Sequence, residues 1–370
     1  MKIIFICGSL EQGHDGVGDY TRRLAGELIR QGHEILLIAI YDQSIDTISE
    51  EFQESEGSII QVLRIPNSTK PNVRFAKSKQ YISDFNPEWL SLQYVPFSFQ
   101  KKGLPFGLAS QLYKIGRGKK WHIMFHELWV GMDQESPLKH KLWGNLQKYI
   151  ARKIIKKLAP NAVHTQSVLY QSQLEKIDCI PSYLPLFGNI AVIENNVSDI
   201  SVNKDYLNFI VFGTIHPNAP VKEFISELAQ YGQINKLKIK LNFIGRCGAE
   251  LNRWVFLCQE QNIEFKVFGE QNSDTISKAL SNADWGVSST PWRQIEKSGT
   301  VAAMLEHGLN VICVARSWTP DTDIPSGVLN GIVEYKENTL KNLFDSPHLN
   351  NSKSDLKNIA NSFLGFLGSK

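Results

Sequence analysis

Lys297, Ser298, Gly299 and Thr300 stand at the head of VAAMLEHG, a segment whose apolar residues keep helical spacing. A lysine, two hydroxyls and a glycine at a helix start turn free N–H groups, hydroxyl donors and an ammonium toward one point. A diphosphate is the natural occupant of such a point. Ser298 alone reads equally as a helix cap, but capping requires neither Lys297 nor Gly299. A second candidate follows the apolar run 2–7, where Gly13, Gly16, Val17, Gly18 and Asp19 lead into a helix with Leu24 and Leu28 on one face. Glycines there let a ligand approach the backbone.

A dinucleotide reading of that loop fails on spacing. The G-x-G-x-x-G pattern begun by Gly16 and Gly18 needs glycine at 21, where Thr21 stands, and the loop is several residues too long. Asp42 follows the second strand, where a ribose-binding acid sits in such proteins, but one Asp at a strand end says little. His126 ends another apolar run and precedes Glu127 and Trp129. Asp321-Thr322-Asp323 has the D-x-D form of a metal site, yet its Pro-flanked place late in the second half reads as a turn. No carboxylate pair suits a glycosidase double displacement, and no residue stands out as a covalent nucleophile.

The elements that position these residues alternate in the manner of β-α-β units. Strands are predicted over 2–7, 34–40, 59–65, 88–94, 121–126, 160–164 and 179–183, with helices over 17–31, 74–84, 104–116, 138–158 and 167–176. The second half repeats the scheme with strands over 207–213, 238–244, 263–268, 283–288 and 310–314, and helices over 220–231, 248–261, 273–281 and 298–307. The stretch 186–206 lacks a period and reads as a linker. The expected fold is therefore α/β: a first Rossmann-like, doubly wound domain over 1–185 completed by a C-terminal helix over 354–370, and a second over 207–353. The two are expected to face a cleft that takes the ligands.

Bulk properties narrow the partners. With 370 residues the chain suits two domains, and a net charge of +3 gives no case for nucleic acid. The five cysteines form no C-x-x-C pair, and Cys7 and Cys313 end apolar runs, which suits a reducing cytoplasm. No apolar run is long enough to span a bilayer. Lys139, Lys141, Lys148, Arg152, Lys153, Lys156 and Lys157 decorate a predicted helix whose Leu142, Leu146, Ile150, Ile154 and Ile155 share helical spacing. That pattern fits a core-facing stripe with a solvated back, and equally a peripheral contact with an anionic membrane at the inner face.

The order of several segments carries a resemblance. GVGDYTRRLAGELIRQGHEI closely resembles the start of the family-4 retaining glycosyltransferases, in which a glycine loop, a helix with LA-x-x-L and G-H-x-V follow strand one. FNPEWLSLQYV, WHIMFHELW and HTQSVLYQSQL look like later landmarks of the same first domain, and VFGTIHP, FIGRCG and the segment around Ser298 extend the likeness through the second half. The resemblance implies a GT-B fold, a donor nucleotide in the second domain and an acceptor mainly in the first.

Carried over residue by residue, it implies that His126 and Glu296 lie at the reacting sugar and that Phe268 and Gly269 meet the base. It also implies that Lys297, Ser298, Gly299 and Thr300 hold the donor diphosphate. The chain departs from the pattern at two places. The family's paired glutamates fall on or beside Glu296 and on Ala303, with Glu306 a turn further on, and the family's arginine after the first second-domain strand is Thr214. Lys222 and Arg246 are the candidates to restore that charge. The expected activity is retaining, metal-independent transfer of a hexose from a nucleoside-diphosphate sugar, UDP-sugar favoured, to a glycan or lipid-linked glycan, with no cofactor. The Gly13–Asp19 loop positions the acceptor in this reading. A sugar-nucleotide epimerase and a non-catalytic nucleotide-sugar-binding protein remain as alternatives.

Overall fold

A computed structural model of the chain describes residues 1–193, 205–324, 329–345 and 355–368. The chain divides into two compact units, one of Met1–Pro185, Thr319–Pro325 and Asp355–Lys370, the other of Leu186–Trp318 and Ser326–Ser354. Residues 194–204 of the stretch read as a linker, the polar segment 346–354 and the last two residues of the C-terminal helix lie outside the described residues.

The first unit is built on eight strands: β1 (Lys2–Cys7), β2 (Glu34–Asp42), β3 (Ser49–Ser55), β4 (Ser58–Pro66), β5 (Trp89–Tyr94), β6 (Lys120–Phe125), β7 (Ala162–Thr165) and β8 (Ser182–Tyr183). Their order is β3-β4-β2-β1-β5-β6-β7-β8, parallel throughout except where β3 runs antiparallel to β4. β1 is buried on both faces because helices cover both sides of the sheet, which is why it reads as an unbroken apolar run. The connecting helices are α1 (Gly16–Arg30), α2 (Pro71–Phe85), the single turn α3 (Pro96–Phe99), α4 (Leu108–Ile115), α5 (Leu138–Leu158) and α6 (Val168–Glu175).

β3 was not predicted, for a physical reason. SEEFQES carries no apolar run, and as an edge strand it is held by charge: Glu51 meets Arg64 of β4, and Gln53 accepts from Arg22 of α1. In α5, Leu142 and Leu146 do not join the core as expected. Gly144 is pressed so closely on Val130 that an added Cβ would lie 2.0 Å from its carbonyl oxygen, and Gln147 bonds Val130 N and Gly103 O. The inward face is therefore Gly144, Gln147, Ile150, Ala151, Ile154 and Leu158, and Leu138, Leu142 and Leu146 face outward.

The second unit holds β9 (Tyr206–Phe212), β10 (Lys238–Ile244), β11 (Glu264–Gly269), β12 (Trp285–Ser288), β13 (Asn310–Cys313) and β14 (Ile332–Glu334). The order is β11-β10-β9-β12-β13-β14, all parallel, which is the 3-2-1-4-5-6 order of the Rossmann fold. Its helices are α7 (Val221–Asn235), α8 (Leu251–Glu260), α9 (Ser273–Ser281), a 3-10 segment (Trp292–Lys297), α10 (Gly299–Glu306) and α11 (Leu340–Phe344). Phe209, Phe224, Phe243 and Trp254 form the heart of its larger core.

The last helix, α12 (Leu356–Gly368), belongs to the first unit. Phe363 stacks on Phe5 of β1 and meets His122 edge-on, and Phe366 meets His164. The expected C-terminal helical period thus buries against the first sheet. The D-x-D segment lies in the first unit rather than the second. Asp321 N donates to Met132 O, and the Asp321 carboxylate accepts from Gln173.

Candidate functional site

In the second sheet the strand order reverses between β9 and β12, and ligands of such folds bind beyond the carboxyl ends of the strands at that point. Gly213 follows β9, Gly245 follows β10 and Gly269 ends β11, all three in the left-handed region. Gly213 N donates to Ile244 O and Gly245 N to Gly269 O, so the three turns form one continuous ledge. Gly213 has a second constraint. A Cβ there would sit 2.7 Å from Thr300 Cγ2, so only glycine lets the head of α10 close onto the end of β9.

Ser298 caps α10, its Oγ accepting from Val301 N at 3.4 Å and lying 3.1 Å from Thr300 Oγ1. Both hydroxyls therefore sit at the positive end of the helix. His216, just after β9, is anchored by its N–H to Ser289 Oγ, which follows β12 across the switch point. Desolvation and then the charges of Lys297 and Arg316 hold the His216 imidazole below its ordinary pKa. Two basic side chains thus act on His216, and one of them, Lys297, directly precedes the cap of α10. That place suits an anion.

The corresponding place in the first unit is built otherwise. α1 is capped by a carboxylate: Asp15 Oδ1 accepts from Val17 N at 3.0 Å and Gly18 N at 3.2 Å. Those are the N–H groups a pyrophosphate would need. Asp42, the ribose-acid position of a dinucleotide fold, is wholly buried and bonds Leu10 N, Ser9 Oγ and Arg64 Nε. Asp19 braces the loop by accepting from Gly13 N and Arg22. Beside the loop lies a cavity of about 340 Å³ lined by Ser9, Glu11, His14, Asp15, Gly16, Gln43, Ser44, Phe97 and Ser98. Asp15 already occupies the N–H groups of α1 and Glu11 is paired with Arg64, and the hydroxyls, carboxyl groups and one aromatic wall suit an uncharged polyol. A larger cavity, about 490 Å³, opens at the amino ends of β10 and β11, the end of a parallel sheet that does not bind ligands.

His126 follows β6 and is buried, with its ring edge-on to Tyr20 of α1. Its Nε2 lies 2.8 Å from Gln93 Oε1. Gln93 Nε2 donates to Ser91 Oγ, Ser91 Oγ lies 2.7 Å from His122 Nδ1, and His122 Nε2 lies 2.9 Å from His164 Nδ1. One assignment serves these contacts: His126 and His122 each donate from Nε2, and His122 and His164 each accept at Nδ1. Burial pushes the His126 pKa down to about 3, against a hydrogen bond with Gln166 that raises it. At neutral pH His126 is therefore an uncharged imidazole that carries its lone pair on Nδ1.

No protein-family model and no curated protein matches this chain. Solved structures do. A structure of HepE from Anabaena in complex with UDP and glucose is 15% identical, with each chain covered in full and a TM-score of 0.59. The pneumococcal O-GlcNAc transferase GtfA, in complex with UDP and GlcNAc, is 10% identical over 100% of this chain and 97% of its own, with a TM-score of 0.53. The catalytic domain of starch synthase IV from Arabidopsis thaliana, bound to ADP and acarbose, is 11% identical over 100% and 99%, with a TM-score of 0.50. The fold is GT-B. At these identities the likeness carries the fold and nothing finer.

Within this GT-B chain the sequence-predicted residues sort into three groups. Lys297, Ser298, Gly299 and Thr300 come together at the head of α10, and Thr214 follows Gly213, exposed beside them. Gly13, Gly16, Val17 and Gly18 share the loop of the first unit, where Gly18 is needed for packing, since a Cβ would lie 2.9 Å from Ser9 O. The third group is spread over α7, the ends of β10 and β11 and the 3-10 segment. Arg246 pairs with Glu270 at 2.8 Å on the surface, and Lys222 is exposed in the first turn of α7. Phe268 is half-buried against the smaller core under Lys266, with Gly269 on the ledge, and Glu296 is half-buried in the 3-10 segment.

Ala303 is wholly buried against Gly188, and Glu306 accepts from Gly188 N, so neither position offers a carboxylate to a ligand. Sequence reasoning missed Arg316, His216 and the Gln93 row. The row had a signal, Ser91 and Gln93 two apart in an otherwise apolar strand. Among the described residues no three His, Cys, Asp or Glu side chains group to hold a metal ion.

Proposed function

We propose that this GT-B protein is a hexosyltransferase that uses a nucleoside-diphosphate sugar, UDP-sugar favoured, and transfers to a hydroxyl of a glycan or lipid-linked glycan with retention. One observation carries the reading: the two glycine-edged helix starts are capped oppositely. The Asp15 carboxyl group occupies the α1 start, whereas α10 begins with a hydroxyl next to Lys297, whose charge acts on His216 together with that of Arg316. The diphosphate belongs at α10, and the uncharged acceptor belongs in the polar cavity of the first unit. The UDP and sugars bound by HepE and GtfA agree with that ligand class.

Catalysis in this reading is electrostatic. As the glycosidic bond to the diphosphate breaks, charge grows on the leaving phosphate, and Lys297, Arg316 and the α10 N–H groups stabilise it. These fixed cations neutralise the diphosphate without a divalent ion. Glu296 holds sugar hydroxyls, Phe268 and Gly269 meet the base, and His126 accepts a hydroxyl at Nδ1. The test is incubation with labelled nucleotide sugars, with and without a glycan extract, following nucleotide release. Release that requires the extract supports transfer. Turnover without acceptor would make it an epimerase, and binding with no turnover would make it a receptor.

A further inference from the structure

Charge is unevenly distributed along this chain. Residues 96–125 and 137–158 hold thirteen of the 40 Lys and Arg and none of the 37 Asp and Glu, so the remainder, 27 basic against 37 acidic, is net −10. The two stretches are also joined in space. α4 packs on α5, Lys157 lies 4.8 Å over the Tyr113 ring, and Trp143 Nε1 donates to Lys102 O. None of the seven α5 cations is in an ion pair among the described residues, although the protein carries a surplus of carboxylates elsewhere.

The same face is apolar. Leu138, Leu142, Leu146 and Tyr149 are 72%, 60%, 47% and 49% exposed, and their spacing of four, four and three residues puts them in one stripe along α5. Phe106, before α4, is 63% exposed, and Tyr113 on α4 is 42% exposed. The stripe gives way in the last turns to Lys153 and Lys156 on the outer side, with Arg152 beside them. Large apolar side chains among unpaired cations, on a helix lying along the surface, match the interfacial layer of an anionic bilayer. The apolar groups enter the acyl boundary and the lysines meet headgroup phosphates. A purely polyanionic partner such as RNA has no use for exposed leucines between the cations.

We infer that the α4–α5 face docks this protein on an anionic membrane surface. The inference stands apart from the proposed reaction, and its test does not depend on turnover. The intact protein is sedimented with phosphatidylcholine vesicles and with phosphatidylcholine–phosphatidylglycerol vesicles at about 0.15 M salt. The expected result is binding to the anionic vesicles and, on the order of tenfold or more weaker, to the neutral ones. Leu142→Glu with Leu146→Glu, and separately Lys153→Glu with Lys156→Glu, should each weaken anionic-vesicle binding by on the order of tenfold. Both pairs are exposed, so an unchanged melting temperature verifies the fold. Failure to bind anionic vesicles overturns the inference. So does a leucine pair variant that binds like the parent, since the face would then be a polyanion site rather than a bilayer site.

Discussion

His126 Nε2 sits 2.8 Å from Gln93 Oε1, and Gln93 in turn is fixed by Ser91, so the imidazole is locked in one neutral tautomer. An unfolded histidine binds a proton near pH 6.5, whereas folded His126 does so only near about 3. Between those values the unfolded chain carries more protons, so acid favours it, and stability falls as pH drops. From pH 6 to 4.5 the loss due to His126 is about 2 kcal/mol. His122, held well below its ordinary pKa by burial and then by His164, adds loss of the same sign. Urea midpoints at the two pH values, for the parent and His126→Asn, measure it. Equal pH dependence in the two proteins would mean that His126 titrates normally in the fold.

Lys297→Ala should weaken UDP binding by roughly tenfold to a hundredfold, the equivalent of about 1–3 kcal/mol for a charge-assisted contact. Arg316→Ala should do the same, because both cations bear on His216. Uridine affinity should be nearly unchanged in each, and the UDP-induced rise in melting temperature should persist in EDTA. Calorimetric titration with both ligands decides. A Lys297→Ala protein that binds UDP like the parent would place the diphosphate elsewhere.

Gly213→Ala should both destabilise the protein and loosen the anion site. The left-handed backbone costs a side chain about 1 kcal/mol, and the new Cβ would meet Thr300 Cγ2 at 2.7 Å. Thr300→Ser removes that methyl and keeps the hydroxyl. The double variant should therefore regain part of the lost melting temperature and UDP affinity, a coupling a double-mutant cycle reads directly. Strictly additive effects would show that the two residues do not touch.

The parallel strands were legible because strands buried on both faces must be apolar along their whole length, as in β1, β2 and β10. The glycine loop and the α10 head were legible because ligand approach demands particular residue types at fixed offsets. What escaped was set by partners distant in sequence. β3 is held by arginines of β4 and α1, and α5 buries Gly144 and Gln147 because Val130 and Gly103 lie against them. Arg316 is 19 residues from Lys297, yet both charges act on His216, since β13 returns beside β12. No period or motif announces such encounters.

The last prediction assigns work to the two helix starts. Gly16 lines the polar cavity of the first unit, and a Cβ there would meet nothing within 4 Å. Gly16→Val should therefore fold, with branched carbons projecting where an acceptor sugar would lie. Gly18→Val is the contrasting change, because its Cβ would press on Ser9 O at 2.9 Å and disturb the packing of α1 itself. UDP affinity should be unchanged in Gly16→Val, since the anion site is built from β9, β12 and α10 and shares no residue with that cavity. Transfer to acceptor should fall by orders of magnitude, because a misplaced hydroxyl forfeits the advantage of proximity. Calorimetry with UDP beside the transfer assay separates the two effects. A folded Gly16→Val protein that loses UDP binding would put the nucleotide at α1 after all, and Asp15 would then have to leave the N–H groups of Val17 and Gly18 to make room for phosphate.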